Sequence, residues 1–233
     1  MSYSYGKSIV TDGLVFYVDA ANGSSYPGSG TTWTDLVGSN DATLNNGPTY
    51  DSANGGSIVF DGTNDKVTSS LTSNTVFNST FTVSIWFKQT DTDNTTFPRL
   101  FDKADNGTST NNGFSVFLYD LDGNDTDVAL YNKITNQPKR AGSLLFNVNT
   151  WHNVTIVFTN TQYKTYVNGG SATTTNHSRS LSSITTSNGF VMGNISDSNR
   201  PFEGGIALTS IYNRELSQAE NQQNYNALKN RFI

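Results

Sequence analysis

The residues of this sequence that could do chemistry are mostly oxygen donors in turns. Asp61, Asn64 and Asp65 fall in Asp61-Gly-Thr-Asn-Asp65. Asp120, Asp122, Asn124, Asp125 and Asp127 crowd one polar loop. Such hard oxygens suit calcium, which takes 6–8 of them. The second loop has part of an EF-hand's spacing, but its sixth position is Asp125 instead of Gly and its twelfth is Tyr131 instead of Glu. It is therefore not an EF-hand. The competing reading of both segments is plain turn chemistry, because Asp-Gly pairs close hairpins without any ion. A second kind of site needs an aromatic face for the C–H side of a sugar, with polar groups for its hydroxyls. Trp86, Tyr119 and Tyr131 are candidates for that face, and each could equally belong to the core or to a cross-strand pair.

Other chemistries find little here. The two histidines, His152 and His177, lie far apart, and cysteine is absent, so a zinc site, a disulfide and a thiol nucleophile are not expected. His152 follows a core Trp and reads as structural, while His177 sits in a polar segment and reads as solvated. Asn168-Gly-Gly170 lacks the lysine and helix of a phosphate loop. No serine has an evident triad. The Asn-x-Ser/Thr sequons, such as those at Asn78 and Asn153, are no more than an Asn- and Thr-rich chain yields by chance.

The elements that would hold these residues are strands. Phe81, Val83, Ile85 and Phe87 share one face of Phe81–Lys88, with Thr82, Ser84 and Lys88 on the other. Trp86 interrupts that polar face, either under a covering loop or in a groove. Val154, Ile156 and Phe158 alternate after Trp151, a second run follows at Tyr163–Val167, and Asn168-Gly169 marks a tight turn. Further strands are expected at 9–19, 57–60, 99–103, 113–119, 128–131, 189–194 and 205–212, with Trp33 and Leu36 plugging a core edge. The one helix begins at the capping box Ser217-Gln-Ala-Glu220 and runs to about 231, with Tyr225, Leu228 and Phe232 as its apolar stripe. It is expected to dock on the sheets or to meet another subunit.

Composition agrees. At 233 residues, with 34% hydrophobic and only 14% charged side chains, polarity comes from Ser, Thr, Asn and Gly, which favours many short strands over a helical bundle. One domain is expected, with its core over about 9–216. Residues 1–127 carry 5 basic and 15 acidic side chains and residues 128–233 carry 9 and 4, so any cation would be sought in the first half. The net charge of −5 disfavours nucleic acid. No run approaches the ~20 apolar residues of a membrane span, and Met1-Ser-Tyr-Ser-Tyr-Gly6 has no leader character.

Five stretches in order resemble laminin-G-like domains of the concanavalin A-like lectin/glucanase superfamily. They are Ile58-Val-Phe-Asp-Gly-Thr-Asn-Asp-Lys-Val67, Phe81–Lys88, the Trp151-His152 hairpin ending in Asn168-Gly169, Phe190-Val-Met-Gly193, and Phe202-Glu-Gly-Gly-Ile through Tyr212-Asn-Arg-Glu-Leu-Ser217. The resemblance implies an all-β fold, a two-sheet antiparallel sandwich of jelly-roll type with a short C-terminal helix. It also implies a calcium between loops in many members. Val10–Ala20, Ser25–Leu36 and Asn224–Phe232 look like single-domain members among phage structural proteins.

The glucanases of that superfamily carry a strand with Glu-x-Asp-x-(x)-Glu, whose carboxylates serve as nucleophile and acid/base ~5–5.5 Å apart. Here Glu203, Glu215 and Glu220 are the only glutamates and none falls in such a motif. The expectation is therefore a non-enzymatic virion surface protein, a capsid decoration, fibre or tail component, with other virion proteins, host-surface glycans and copies of itself as partners. The alternative is a carbohydrate-binding module of a secreted, extracellular bacterial protein, and a glycan hydrolase comes last.

Overall fold

The computed structural model describes residues 8–91, 97–105, 112–119, 127–134, 137–197 and 199–233. In chain order its strands are β1 (Leu14–Asp19), β2 (Thr32–Trp33), β3 (Ala42–Asn45), β4 (Thr49–Asp51), β5 (Ser57–Asp61), β6 (Lys66–Ser69), β7 (Phe81–Gln89), β8 (Arg99–Ala104) and β9 (Gly113–Tyr119). They continue with β10 (Asp127–Ile134), β11 (Gln137–Asn147), β12 (Trp151–Phe158), β13 (Gln162–Val167), β14 (Thr173–Asn176), β15 (Val191–Met192) and β16 (Glu203–Tyr212). The helix α1 spans Gln218–Leu228. The strands form two antiparallel sheets. The first runs β14-β13-β12-β7-β16-β5-β4, with β1 also paired to β16; the second runs β11-β10-β9-β8-β15-β6-β3-β2. This is the two-layer sandwich that the alternation predicts.

The middle of the first sheet follows directly from that alternation. Phe81, Val83, Ile85 and Phe87 of β7 are fully buried and face the second sheet. Val154 and Ile156 lie opposite Ile85 and Val83 on β12. Phe81 stacks on Phe158 at 4.6 Å and packs against Phe114 of the second sheet at 4.8 Å, so rings from both layers knit the core. Asn168 and Gly169 take the positive φ values of 50° and 68° expected of the turn. That turn leads into β14, an edge strand of Thr and Asn too polar to announce itself.

The other face of β7 is covered by α1 and the residues after it. Trp86 is 1% exposed, with Tyr225 stacked on it at 5.5 Å and Phe232 at 4.1 Å, and Trp151 completes the cluster. The polar neighbours of Trp86 bond to one another: Asn153 donates to Ser84 at 3.2 Å and Thr155 donates to Ser84 at 2.8 Å. A buried hydroxyl or amide without such a partner would cost ~1–3 kcal/mol.

Residues 8–10 and the C-terminal segment both lie against this face. Asn224 accepts from the Val10 amide at 2.7 Å, Gln223 donates to the Ser8 carbonyl at 2.8 Å, and Arg231 grips Asp19 with contacts of 2.9 and 3.0 Å. The helix starts at the predicted box: Ser217 accepts from the Glu220 amide at 3.3 Å, and Glu220 accepts from the Ser217 amide at 2.8 Å. Arg214, at 2.6 Å, is the main reason the Glu220 carboxyl is held down to about 2.

Two predictions follow from this packing. Trp86→Ala should cost ~3–5 kcal/mol in urea unfolding, as loss of a buried aromatic does. Glu220 has a folded pKa below its ordinary 4.5, so its stabilisation is complete above that pH and lost as pH falls toward 2. Glu220→Gln should therefore lower stability at pH 7 and lose part of the wild type's decline between pH 4.5 and 2.

Candidate functional site

The outer face of the second sheet is built by strand register. Ser115 pairs with Asp102, Asp102 with Val191, Val191 with Thr68, and Thr68 with Thr43, and directly opposed residues share a face. Phe117 and Tyr119 follow Ser115 at the period of two, while Phe114, Val116 and Leu118 point into the core. Tyr131 is the register partner of Phe117 on β10, and its side chain lies outside the described residues.

An aromatic not singled out by sequence joins this row. Phe97 enters β8 with φ of 57°, a left-handed conformation that a bulky side chain adopts at a cost of ~1–3 kcal/mol. Its ring is 36% exposed, stacks on Tyr119 at 4.9 Å and 11°, and meets Phe117 edge-on at 5.8 Å. Arg200 lies 5.4 Å from the Phe97 ring and Arg99 lies 4.5 Å from the Phe117 ring. Arg99 Nη1 donates to the Phe97 carbonyl at 2.6 Å, which fixes the turn. Burial lowers the Arg99 guanidinium to about 10, against the pull of Asp102. The result is a partly exposed aromatic stack with two guanidinium groups packed on it.

Farther along the same face runs an open groove of about 470 Å³ lined by Asp41, Thr43, Asn45, Lys66, Thr68 and Ser70. Its floor is a rigid pair of strands, β3 and β6, with Thr43 opposite Thr68 and Asn45 opposite Lys66. Asn45 donates to the Thr43 carbonyl at 2.7 Å and Lys66 to the Ser196 carbonyl at 2.6 Å, so both side chains are oriented. The lining is suited to hydroxyl groups and offers no hydrophobic slot.

The structure separates the predicted site residues. Tyr119 belongs to the exposed stack. Trp86 does not offer a sugar platform: it is sealed beneath Tyr225 and Phe232, and that expectation is corrected. Asp61 and Asp65 meet in one turn, where Asp65 accepts from the Asp61 amide at 3.0 Å and Asp61 from the Thr63 amide at 2.8 Å. The Asn64 side chain is exposed, and its carbonyl accepts from Asn46 at 2.8 Å. Asp120, Asp122, Asn124 and Asp125 lie outside the described residues, as does the side chain of Asp127. Among the described residues, no three His, Asp or Glu side chains converge on one point.

Several other ionisable groups hold structural posts. Glu215 pairs with Lys164 at 2.6 Å and Glu220 is the helix cap. Glu203 is the register partner of Asp61. His152 is buried against Phe87 and Phe146, with Nε2 3.1 Å from the Asn147 carbonyl, as a structural histidine should be. His177 is not solvated as expected: it is 9% exposed, packs on the Tyr163 ring at 4.4 Å and accepts from the Arg179 amide, and burial lowers its pKa. Lys103 is fully buried, and its ammonium donates to the carbonyls of Thr72 at 3.0 Å and Asn188 at 2.6 Å. Burial lowers it to about 8.

Lys103 gives a pH prediction. Unfolded, it holds its proton to its ordinary 10.5; folded, it releases it at about 8. Between those values the unfolded chain binds more protons, so this group makes stability rise with pH. Urea midpoints between pH 8 and about 9.5 should climb less steeply in Lys103→Met than in the wild type.

A family model described as the concanavalin A-like lectin/glucanases superfamily matches residues 61–220. No curated protein matches the sequence. Among solved structures, domain 4 of AbnA, a GH43 extracellular arabinanase from Geobacillus stearothermophilus determined with arabinotriose, superposes with a TM-score of 0.68 at 17% identity, covering 91% of this chain and 98% of that one. A Trypanosoma rangeli sialidase gives 0.70 at 14% identity over 96% of this chain, which spans 34% of the sialidase. A structure titled for the entry of botulinum neurotoxin type C through two ganglioside molecules gives 0.67 at 17% identity, covering 93% of this chain and 51% of that one. At these identities the likeness is one of fold.

Proposed function

This chain belongs to the concanavalin A-like lectin/glucanase superfamily, and from that premise we propose that it is a non-catalytic, glycan-adhering protein of a virion surface. The observation that carries the adhesive part is the Phe97–Tyr119 stack. The Phe97 ring is 36% exposed and held in place by its stack on Tyr119, so a sugar's apolar face laid on it would bury apolar surface without ordering a side chain. A separate groove along β3 and β6, several strands away on the same sheet, offers threonine hydroxyls, an amide and an ammonium to the hydroxyls of another part of a longer glycan. Structures of like fold include one determined with arabinotriose and one of a botulinum neurotoxin type C whose cell entry depends on two ganglioside molecules, which supports a saccharide as the ligand class.

The non-catalytic part rests on the use already made of the carboxylates. Two of the three glutamates are committed to Lys164 and to the helix cap, and Glu203 faces Asp61 across a strand edge. The virion placement rests on the sequence resemblance at residues 10–20, 25–36 and 224–232, and on the absence of cysteine. The second reading is a carbohydrate-binding module of a secreted bacterial protein. It is favoured by one fact: the arabinanase domain is covered over 98% of its length.

A glycan array with purified protein tests the adhesion. Phe97→Ala and Tyr119→Ala should each weaken binding at least about tenfold, near 1.4 kcal/mol, while leaving thermal unfolding within a few degrees of wild type. Wild-type protein that binds no glycan on the array would end the adhesive reading. Mass spectrometry of purified particles against the secreted fraction separates the two placements, and release of reducing sugar from a bound polysaccharide would restore the hydrolase.

A further inference from the structure

The two sides of the sandwich carry opposite charge. On one side the edge strands β11 and β14 meet, where the Thr175 hydroxyl donates to the Arg140 carbonyl at 3.3 Å. Beside this contact lies an open pocket of about 250 Å³ lined by Lys139, Asn176, His177 and Ser178. The lining holds donors and no carboxylate. Asn176 accepts from Gln162 through its Oδ1 at 3.1 Å, which leaves its Nδ2 to donate, and His177 accepts the Arg179 amide and forms a fixed wall. Lys139 and Arg179 are exposed and Arg140 is half-buried, and none of the three forms an ion pair among the described residues. Elsewhere Lys164, Arg214 and Arg231 each hold a carboxylate, and Lys66 and Lys103 donate to carbonyls. Asp127 faces Asn147 at the other end of β11, away from Lys139.

The opposite side is built by β3, β4 and β5, where the chain crosses between the sheets through residues 46–48. Asp41 and Asp61 are exposed there, Asp51 and Glu203 are half-buried, and these four also form no ion pair among the described residues. Strand order keeps the two sides apart: β14 and β5 stand five strand spacings from each other in the first sheet, ~24 Å at ~4.8 Å each.

We propose that copies of this chain associate head to tail, the Lys139 pocket side of one receiving the acidic side of the next. Charge selects this arrangement. Two pocket sides repel one another, as do two acidic sides, so a symmetric dimer through either is disfavoured and only unlike sides attract. A contact between unlike sides leaves one of each kind open, so it propagates as a string or closes as a ring. The Lys139 ammonium and the Asn176 amide are suited to a carboxylate entering from the neighbour. Exposed ion pairs are each worth little, so the contact is weak in dilute solution and grows where copies are crowded.

Sedimentation velocity of the full chain reads this association. At about 20 mM salt, where charges act over ~20 Å, the sedimentation coefficient should climb with protein concentration, and at about 0.5 M salt it should stay at the monomer value. A monomer at low salt up to about 1 mM protein, or an association that salt leaves unchanged, overturns the proposal. Charge exchange locates the contact. Lys139→Glu with Arg179→Glu turns the pocket side acidic, and Asp51→Lys with Asp61→Lys turns the other side basic. Each double variant should be monomeric alone, and an equal mixture should associate again. Variants that associate alone as the wild type does, or a mixture of folded variants that stays monomeric, overturn the proposal, with folding checked by thermal unfolding. Zero-length cross-linking of the wild type needs no variant. Dimers should contain Lys139 joined to Asp51, Asp61 or Glu203, and dimers joined only elsewhere overturn it. Inorganic sulfate that raises the unfolding midpoint of a chain still monomeric, with the rise lost in Lys139→Glu/Arg179→Glu, would give the pocket to a small anion and overturn the docking. The association does not depend on glycan adhesion, which is read from Phe97 and Tyr119.

Discussion

The structure depends on β7 being buried on both faces. One face of that strand supplies Phe81, Val83, Ile85 and Phe87 to the space between the sheets. The other would leave Trp86 in water if the C-terminal segment did not lay Tyr225 and Phe232 on it. A β-sheet with one solvated face needs polar outward residues, and β7 has them, Thr82 and Ser84, now beneath a cover. Their burial is tolerated because each finds a bond: Ser84 from Asn153 and Thr155, and Thr82 to the Arg214 carbonyl at 2.7 Å. The helix is thus part of the folding unit, and its cap, its salt bridge and the Arg231–Asp19 grip hold it where the tryptophan needs it.

The outer face of the second sheet is buried at its centre, where Ser115, Asp102 and Val191 lie, and among the described residues it is more exposed at two places on either side. There the chain places what it can offer to a ligand: an aromatic stack at one place and a hydroxyl-lined groove at another, joined by a continuous register across β9, β8, β15, β6 and β3. The groove is cut into paired strands, so its donors are fixed before anything arrives, which lowers the ordering cost of binding. Charge is disposed of inside. Lys103 is spent on two carbonyls and Glu220 on a helix end, which leaves them no part in reacting with a substrate.

Much of the fold was legible because it rests on period and punctuation. The alternation in Phe81–Lys88, the hairpin through Val154 and Tyr163, the positive-φ pair Asn168-Gly169 and the box Ser217–Glu220 all state their conformation locally. Strands β3, β6, β11 and β14 were not foreseen, since their Thr, Asn and Lys outward residues read as loop when the partner strand is not in view. The site was legible only in part. Tyr119 was visible as an aromatic on a strand, but whether Trp86 is open or covered is decided by a helix about 140 residues away. Phe97 gave no signal, because a left-handed aromatic looks like any other in sequence. The turn 61–65 was evident, yet the burial of Asp65 and the anchoring of its carbonyl by Asn194, 129 residues on, are set by the packing of strands.

The meeting of both chain ends on one side has a further consequence. Ser8 and Val10 lie on α1, and Arg231 is clasped to Asp19, so whatever is attached before the first strand or after the last turn departs from the same wall. That wall carries α1 and lies across the sandwich from the outer face of the second sheet, with its aromatic stack and its groove, so a load joined through Ser8 or Arg231 would start from the helical side.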